Sequence, residues 1–175
     1  MNGQRLGSLI GAIGGAVFVL LNAADFPSPA DTATRVAGAV AFLAVIWFAV
    51  LKPGPAVEAP EPSRNAVRVY WLCVVFEVIA IPVGAQVITR AFERPDLVIL
   101  WVVLVVGVHF VPFAKAFSLP LFGFLGWTLV GIAAAGTAAA LTVDAVAAPV
   151  AGVAAGFILL GFSGFSRSMK AASAS

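Results

Sequence analysis

Two ionisable side chains, Glu77 and His109, lie deep inside long apolar stretches of the sequence. A charge at such a depth in a membrane costs about 3 kcal/mol or more, so it usually faces the protein interior and finds a partner there. A carboxylate and an imidazole can share a proton, pass it on or bind a polar ligand. The two residue types therefore indicate proton passage or ligand binding, with a purely structural clamp between two helices as the alternative.

Their positions along the chain predict that the two side chains meet. Glu77 follows Val69, the predicted inner end of one helix, by eight residues, which is about 12 Å at the rise of a helix. His109 precedes Phe117, the predicted inner end of the next helix, by the same eight residues. Because the two helices are consecutive and joined by a short loop, we expect a hydrogen bond between Glu77 and His109, direct or through water.

Further polar side chains extend this candidate site. Cys73 lies one turn before Glu77, and Tyr70 continues the same face of that helix. Gln86 lies near the outer end of the same helix, and Asn22 occupies a similar level on the first helix. Together they predict a partly hydrated cleft that runs from Glu77 toward the outer face.

The sequence predicts neither a metal site nor a cofactor. Cys73, Glu77 and His109 offer three ligand types, but the chain has one histidine, one cysteine and no paired carboxylate at this depth. A haem with two histidine ligands is excluded within one chain. No Gly-rich phosphate loop, nucleophile elbow or H-E-x-x-H motif occurs. These absences favour a function other than catalysis.

The composition places these residues in a membrane protein. Hydrophobic residues make up 62% of the 175 residues and charged residues only 10%, against about 25% charged residues in a soluble domain. The exterior must therefore face lipid. The net charge is only +2, and the basic residues are scattered between apolar segments, which argues against a nucleic-acid partner.

Six apolar segments have the length of about 20 residues that a membrane-spanning helix needs. They cover residues 6–24, 34–51, 69–88, 97–117, 121–141 and 145–165. We therefore predict an all-α, integral membrane bundle of six transmembrane helices in a single domain, 1–175. The connection from Lys52 to Arg68 is rich in proline and is predicted to be extended. The pattern at Asn22–Ala24 fits signal cleavage poorly, so the first segment is expected to remain in the protein.

The basic residues predict the orientation. If the N-terminus is inside, seven Lys and Arg residues face the cytoplasm and three face outside, which agrees with the positive-inside rule. The inner set is Arg5, Lys52, Arg64, Arg68, Lys115, Arg167 and Lys170, and the outer set is Arg35, Arg90 and Arg94. The prediction is N-in and C-in.

Small residues mark the predicted contacts between helices. Gly7, Gly11 and Gly15 recur every four residues along one face of the first helix, and Gly152 and Gly156 do so on the sixth. Such faces allow close approach of helix backbones. The first face is predicted to pack within the chain, and a partner helix or a second copy of the chain is the alternative.

The segment His109-Phe110-Val111-Pro112-Phe113-Ala114-Lys115 resembles an H-F-x-P-[LF]-A pattern of small bacterial multi-pass membrane proteins without a known activity. The resemblance implies that His109 belongs to a recurring feature. The high Ala, Val and Gly content is typical of proteins from GC-rich bacteria. The predicted location is a bacterial cytoplasmic (inner) membrane.

Three functions follow as hypotheses. The first is a small solute or proton permease, or a channel-like protein, with Glu77 as the titrating carboxylate and His109 as its partner. The second is a non-catalytic binding or scaffolding subunit of a larger complex, since length and helix number resemble the vitamin-binding components of bacterial importers. The third is a membrane enzyme on a lipid-soluble substrate, with the same pair as acid and base. The expected partners are membrane lipid and a small-molecule ligand.

Overall fold

The computed structural model describes residues 3–52 and 63–165 of the chain. These residues form long helices joined by short turns, and no strand occurs among them. Most of the predicted proline-rich linker, residues 53–62, lies outside the described residues.

Six helices in the described ranges are long and apolar enough to cross a membrane, with spans of 18 to 28 residues. This confirms, for the described residues, the predicted all-α class and six helices that are long and apolar enough to span a membrane. The helices are α1 Gly3–Asn22, α2 Ala30–Val45, α3 Arg64–Ala91, α4 Val98–Ala116, α5 Pro120–Thr142 and α6 Ala147–Phe165. Short 3-10 turns follow α1 at Ala23–Asp25 and precede α4 at Pro95–Leu97, and α2 continues as a π-helix over Ile46–Leu51.

The helix that carries Glu77 begins earlier than predicted, at Arg64 instead of Val69. Its N-cap is Ser63, whose Oγ accepts a hydrogen bond from the backbone N–H of Ala66 at 3.1 Å. The 28 residues of α3 extend over about 42 Å, more than the hydrocarbon thickness of about 30 Å. The polar first turns of α3 can therefore project beyond the apolar region.

The chain contacts define two compact units. One consists of Met1–Ala59 with Gly152–Ser175, and the other is Pro60–Ala151. Helix α6 contributes its first residues to the second unit and the remainder to the first. The single domain predicted for residues 1–175 stays a prediction.

In the first unit, α1 and α6 approach each other at glycines. A Cβ added at Gly15 would lie 2.7 Å from the carbonyl oxygen of Gly156, and the reverse substitution would meet Gly15 at 2.7 Å. A Cβ at Gly11 would overlap Ser163, whereas one at Gly7 would meet nothing within 4 Å. Two of the three glycines on the predicted face thus pack within the chain. A partner helix at this face stays a prediction.

In the second unit, α4 and α5 make the closest helix contact. A Cβ at Gly126 would lie 2.7 Å from the carbonyl oxygen of Gly107, and one at Gly107 would lie 2.9 Å from the backbone nitrogen of Val130. Such backbone approach allows dense packing without large side chains. A different side of α4 packs against α3, and this second contact contains Glu77.

The turn between α3 and α4 is held by an ion pair. Arg94 donates from Nη2 to Oδ2 of Asp96 at 2.7 Å and from Nε to Oδ1 at 3.0 Å. The hydrogen bond to Asp96 raises the pKa of Arg94 above its usual range. Arg94 also donates to the carbonyl oxygen of Ala140 at 3.5 Å, near the end of α5. This turn directs α4 back along α3, so that mid-helix residues of the two helices come level.

Candidate functional site

Glu77 and His109 meet at the contact between α3 and α4. Nδ1 of His109 and Oε2 of Glu77 are joined by a hydrogen bond. The expected hydrogen bond between these two side chains is therefore present, and it is direct. The role of the pair as a functional site stays a prediction.

Small residues of α3 let α4 come close enough for this contact. Cys73, Glu77, Ala80 and Gly84 follow one another at intervals of three or four residues, the spacing of one helix face. Cys73 is only 8% exposed, and its thiol is free. The face therefore brings a carboxylate to the helix contact within an otherwise apolar and small-residue stripe.

The pair is covered but not closed off. The side chain of His109 is 14% exposed and that of Glu77 is 26% exposed. A polar pair that served only to join two helices would be expected to bury both partners against protein. About a quarter of the Glu77 side chain is therefore not covered by the rest of the protein.

Aromatic rings border His109 on the side of the predicted inner end. The imidazole lies 4.6 Å from the ring of Phe113 and 4.8 Å from that of Phe110, measured between ring centroids. Phe113 in turn stacks on Tyr70 of α3 at 5.9 Å. We call Tyr70, Phe110 and Phe113 the aromatic wall. It connects α3 and α4 and continues to α5, where Phe122 stacks on Phe110 at 5.7 Å.

The remaining candidate residues are Tyr70, Gln86 and Asn22. Tyr70 belongs to the aromatic wall and is 38% exposed. Gln86 is exposed and lies nine residues after Glu77, which turns it about 180° around α3. Asn22 belongs to the first unit, where it is buried, donates to the carbonyl oxygen of Phe18 at 2.7 Å and lies against Gly152. Within the second unit, the residues that come together are Glu77, His109, Cys73 and the aromatic wall. The cleft toward Gln86 and Asn22 stays a prediction.

Phe110 and Phe113 were not among the predicted site residues. Phe113 follows His109 by four residues, so helical spacing alone puts the two rings on one face. That signal was present in the sequence. No group of three or more His, Cys, Asp or Glu in the described ranges is arranged to hold a metal ion.

A second unpredicted contact lies farther along the same helix pair. Nε1 of Trp101 donates a hydrogen bond to the carbonyl oxygen of Ala80 at 2.9 Å. Its indole covers Gly84, where an added Cβ would overlap the ring. Trp101 thus makes a specific contact between the two helices. It fixes α4 against α3 beyond the carboxylate, while the aromatic wall fixes the two helices on the other side of it.

Comparisons with known proteins assign no relative to this arrangement. No protein-family model matches the chain, and neither the curated proteins nor the solved structures contain a match. The resemblance of the segment from His109 to Lys115 to small bacterial membrane proteins stays a prediction.

Proposed function

We propose that the chain is a proton-coupled solute permease of a bacterial cytoplasmic membrane, with both termini inside. The six apolar helices and the excess of Lys and Arg on the predicted inner side support the membrane location and orientation. Glu77 is the proton-carrying group in this proposal, and His109 is its partner.

The observation that carries the proposal is the hydrogen bond between Glu77 and His109 at mid-helix. An ionisable pair at this depth is costly compared with apolar residues of similar volume. The partial exposure of the Glu77 side chain supports a role that needs contact with a solute or with water. A structural clamp would need neither access nor a titratable group.

The chemistry follows from the possible protonation states. With one proton, the pair is neutral overall, either as a carboxylic acid beside imidazole or as a carboxylate beside imidazolium. Loss of that proton leaves a net negative charge in an apolar environment, which favours uptake of another proton or of a solute that compensates the charge. Coupling between proton and solute would arise because both compete for one carboxylate.

The test is solute-driven proton movement in proteoliposomes that contain the full chain and an internal pH-sensitive dye. Cationic, anionic and neutral solutes are added in turn to the outside. We expect at least one class to drive proton movement with the wild type and none with Glu77→Gln. Glu93→Gln is the matched control, because Glu93 is an exposed carboxylate in the turn after α3. Equal movement in wild type, Glu77→Gln and empty liposomes would refute the proposal.

A further inference from the structure

We propose that Glu77 and the aromatic wall bind a lipophilic organic cation of single charge in exchange for one proton. This inference rests on the proposed function, because both assign the exchangeable proton to the Glu77–His109 pair. It adds the chemical class of the solute.

The charge of the site favours a cation. When His109 is neutral and Glu77 is ionised, the pair carries one negative charge, and an unpaired charge in an apolar region is strongly unfavourable. A proton on either residue removes this charge, and so does one bound monocation. Binding therefore releases one proton for each cation taken up, and both the bound and the protonated states are electrically neutral.

Among the described residues, Glu77 is paired with His109 and with no Lys or Arg. Helix α4 presents His109 to it, and α3 itself contributes Cys73 and Tyr70 on the same face. Lys115 lies near the end of α4, six residues beyond His109. Helix α5 has no titratable side chain. Compensation of the carboxylate is thus left to a proton or to a ligand.

The aromatic wall favours an organic cation over a hydrated metal ion. Aromatic faces attract cations within about 6 Å of the ring centroid, and cages of such rings recognise quaternary ammonium groups. Phe113 links the ring of His109, at 4.6 Å, with that of Tyr70, at 5.9 Å. The carboxylate therefore lies at one end of a row of rings. Phe113 is buried within this row, and the accessible rings that can cover apolar substituents of a cation are those of Tyr70 and Phe110.

Access is compatible with a ligand of moderate size. Tyr70 is 38% exposed, and the side chain of Glu77 is 26% exposed. They are seven residues apart on one face of α3, a separation of about 10 Å along the helix. A cation that carries aromatic or alkyl groups can span this distance, with its charge beside Glu77 and its apolar groups beside Tyr70.

The test is calorimetric titration of the full chain in a non-ionic detergent with tetraphenylphosphonium. Tetraphenylborate, an ion of the same shape and opposite charge, controls for partition into apolar surfaces. We expect binding of the cation alone, with about one proton released per cation when heats in buffers of different ionisation enthalpy are compared. Where the proton and the cation compete for the pair, the apparent affinity should fall about tenfold for each tenfold rise in proton concentration, as one competing proton requires.

Variants distinguish the two parts of the site. Glu77→Gln should abolish binding, and Glu93→Gln should leave it unchanged. Tyr70→Leu should weaken binding by about three- to tenfold, and Tyr70→Phe should retain it, because the ring supplies the cation–π contact. Tyr70 lies on an exposed part of α3, so its variants report on the site even if Glu77→Gln does not fold.

Failure of the inference and failure of the proposed function give different results. Equal binding of tetraphenylphosphonium and tetraphenylborate, or cation binding that Glu77→Gln leaves intact, would overturn the cation site. If anionic or neutral solutes alone drive Glu77-dependent proton movement in liposomes, the permease stands and the cation site fails. If the cation binds with proton release but no solute drives proton movement, the site stands and the permease fails.

Discussion

At the residue scale, the question for Glu77 and His109 is whether their hydrogen bond contributes more free energy than burying the two side chains costs. This comparison separates a structural pair from a functional one. A hydrogen bond to a charged group contributes about 1.5–3 kcal/mol, and a buried polar group that loses its partner retains its desolvation cost. Replacing both members by apolar side chains removes that cost. A pair that is kept for function therefore need not stabilise the fold.

The first prediction follows for substitutions at these two positions. His109→Leu should lower the free energy of unfolding by about 1–3 kcal/mol, because it leaves the carboxylate of Glu77 without its partner. Adding Glu77→Met should restore most of the loss, and the double variant should be inactive in proton movement. Thermal unfolding in detergent measures the effect. A double variant that is as unstable as the sum of the two single variants would argue that the residues are not coupled.

The contact between Glu77 and His109 could be predicted from the sequence, whereas some of the contacts around it could not. Their contact was predicted from equal distances to the predicted inner helix ends, and it is present although α3 begins at Arg64 and not at Val69. The short turn between the two helices was therefore the more dependable signal. Helical periodicity also predicts that Gln86 and Glu77 lie on opposite sides of α3, since nine residues make about two and a half turns of a helix. The hydrogen bond from Trp101 to Ala80 had no comparable signal, because a tryptophan near a helix end is equally compatible with interfacial anchoring.

At the element scale, α4 is held between two different contacts. Its contact with α5 uses backbone approach at Gly107 and Gly126, whereas its contact with α3 uses Glu77, Trp101 and the aromatic wall. Helix α3 buries a smaller share of its residues than any of the other five spans. The α4–α5 contact, where the two backbones approach each other, is therefore the base of the second unit, and α3 packs against it through α4.

The second prediction tests this base with two substitutions in one helix. Gly126→Ala should destabilise the protein by about 1–3 kcal/mol, because its Cβ would collide with the backbone of α4, which cannot move aside as a side chain could. Gly131→Ala is the control, since a Cβ there meets nothing within 4 Å. It should be neutral or stabilising, because alanine favours the helix over glycine by about 1 kcal/mol. Equal effects in thermal unfolding would contradict the proposed packing.

The lengths of the apolar runs predicted that the helices exist. They predicted the residue at which a helix begins less accurately. Apolar length sets the part of a helix that spans a membrane, and this part was visible in the sequence. The start of α3 was missed because its first turns contain Arg64 and Arg68, which do not count as apolar. The signal for the true start was Ser63, a residue type that is preferred at the N-cap.

At the scale of the whole molecule, the division of the chain into two units was not evident from the sequence. Glycine-rich faces occur in both units, and composition alone does not specify which face packs against which helix. Helix α6 shows the difficulty, because its first residues and the remainder belong to different units. The distribution of Lys and Arg does predict a property of the whole molecule, namely its orientation in the membrane.

The third prediction concerns that orientation. A green fluorescent protein fused after the C-terminus should fluoresce, and alkaline phosphatase fused in the turn at Glu93 should be active, because the first reports the cytoplasm and the second the outside. Fusion of the phosphatase at Ser118, in the turn between α4 and α5, should be inactive. The reverse pattern would invert the proposed N-in, C-in orientation and the assignment of the aromatic wall to the cytoplasmic half.

The most direct test of the central claim is infrared difference spectroscopy of the lipid-reconstituted protein between acidic and alkaline buffers. The claim is that the Glu77–His109 pair gains and loses a proton within the membrane. We predict a carboxyl or imidazolium difference band that Glu77→Gln removes or shifts and that Glu93→Gln leaves in place. A spectrum that is the same in wild type and Glu77→Gln would show that the pair does not exchange protons, and would leave it as a structural contact between α3 and α4.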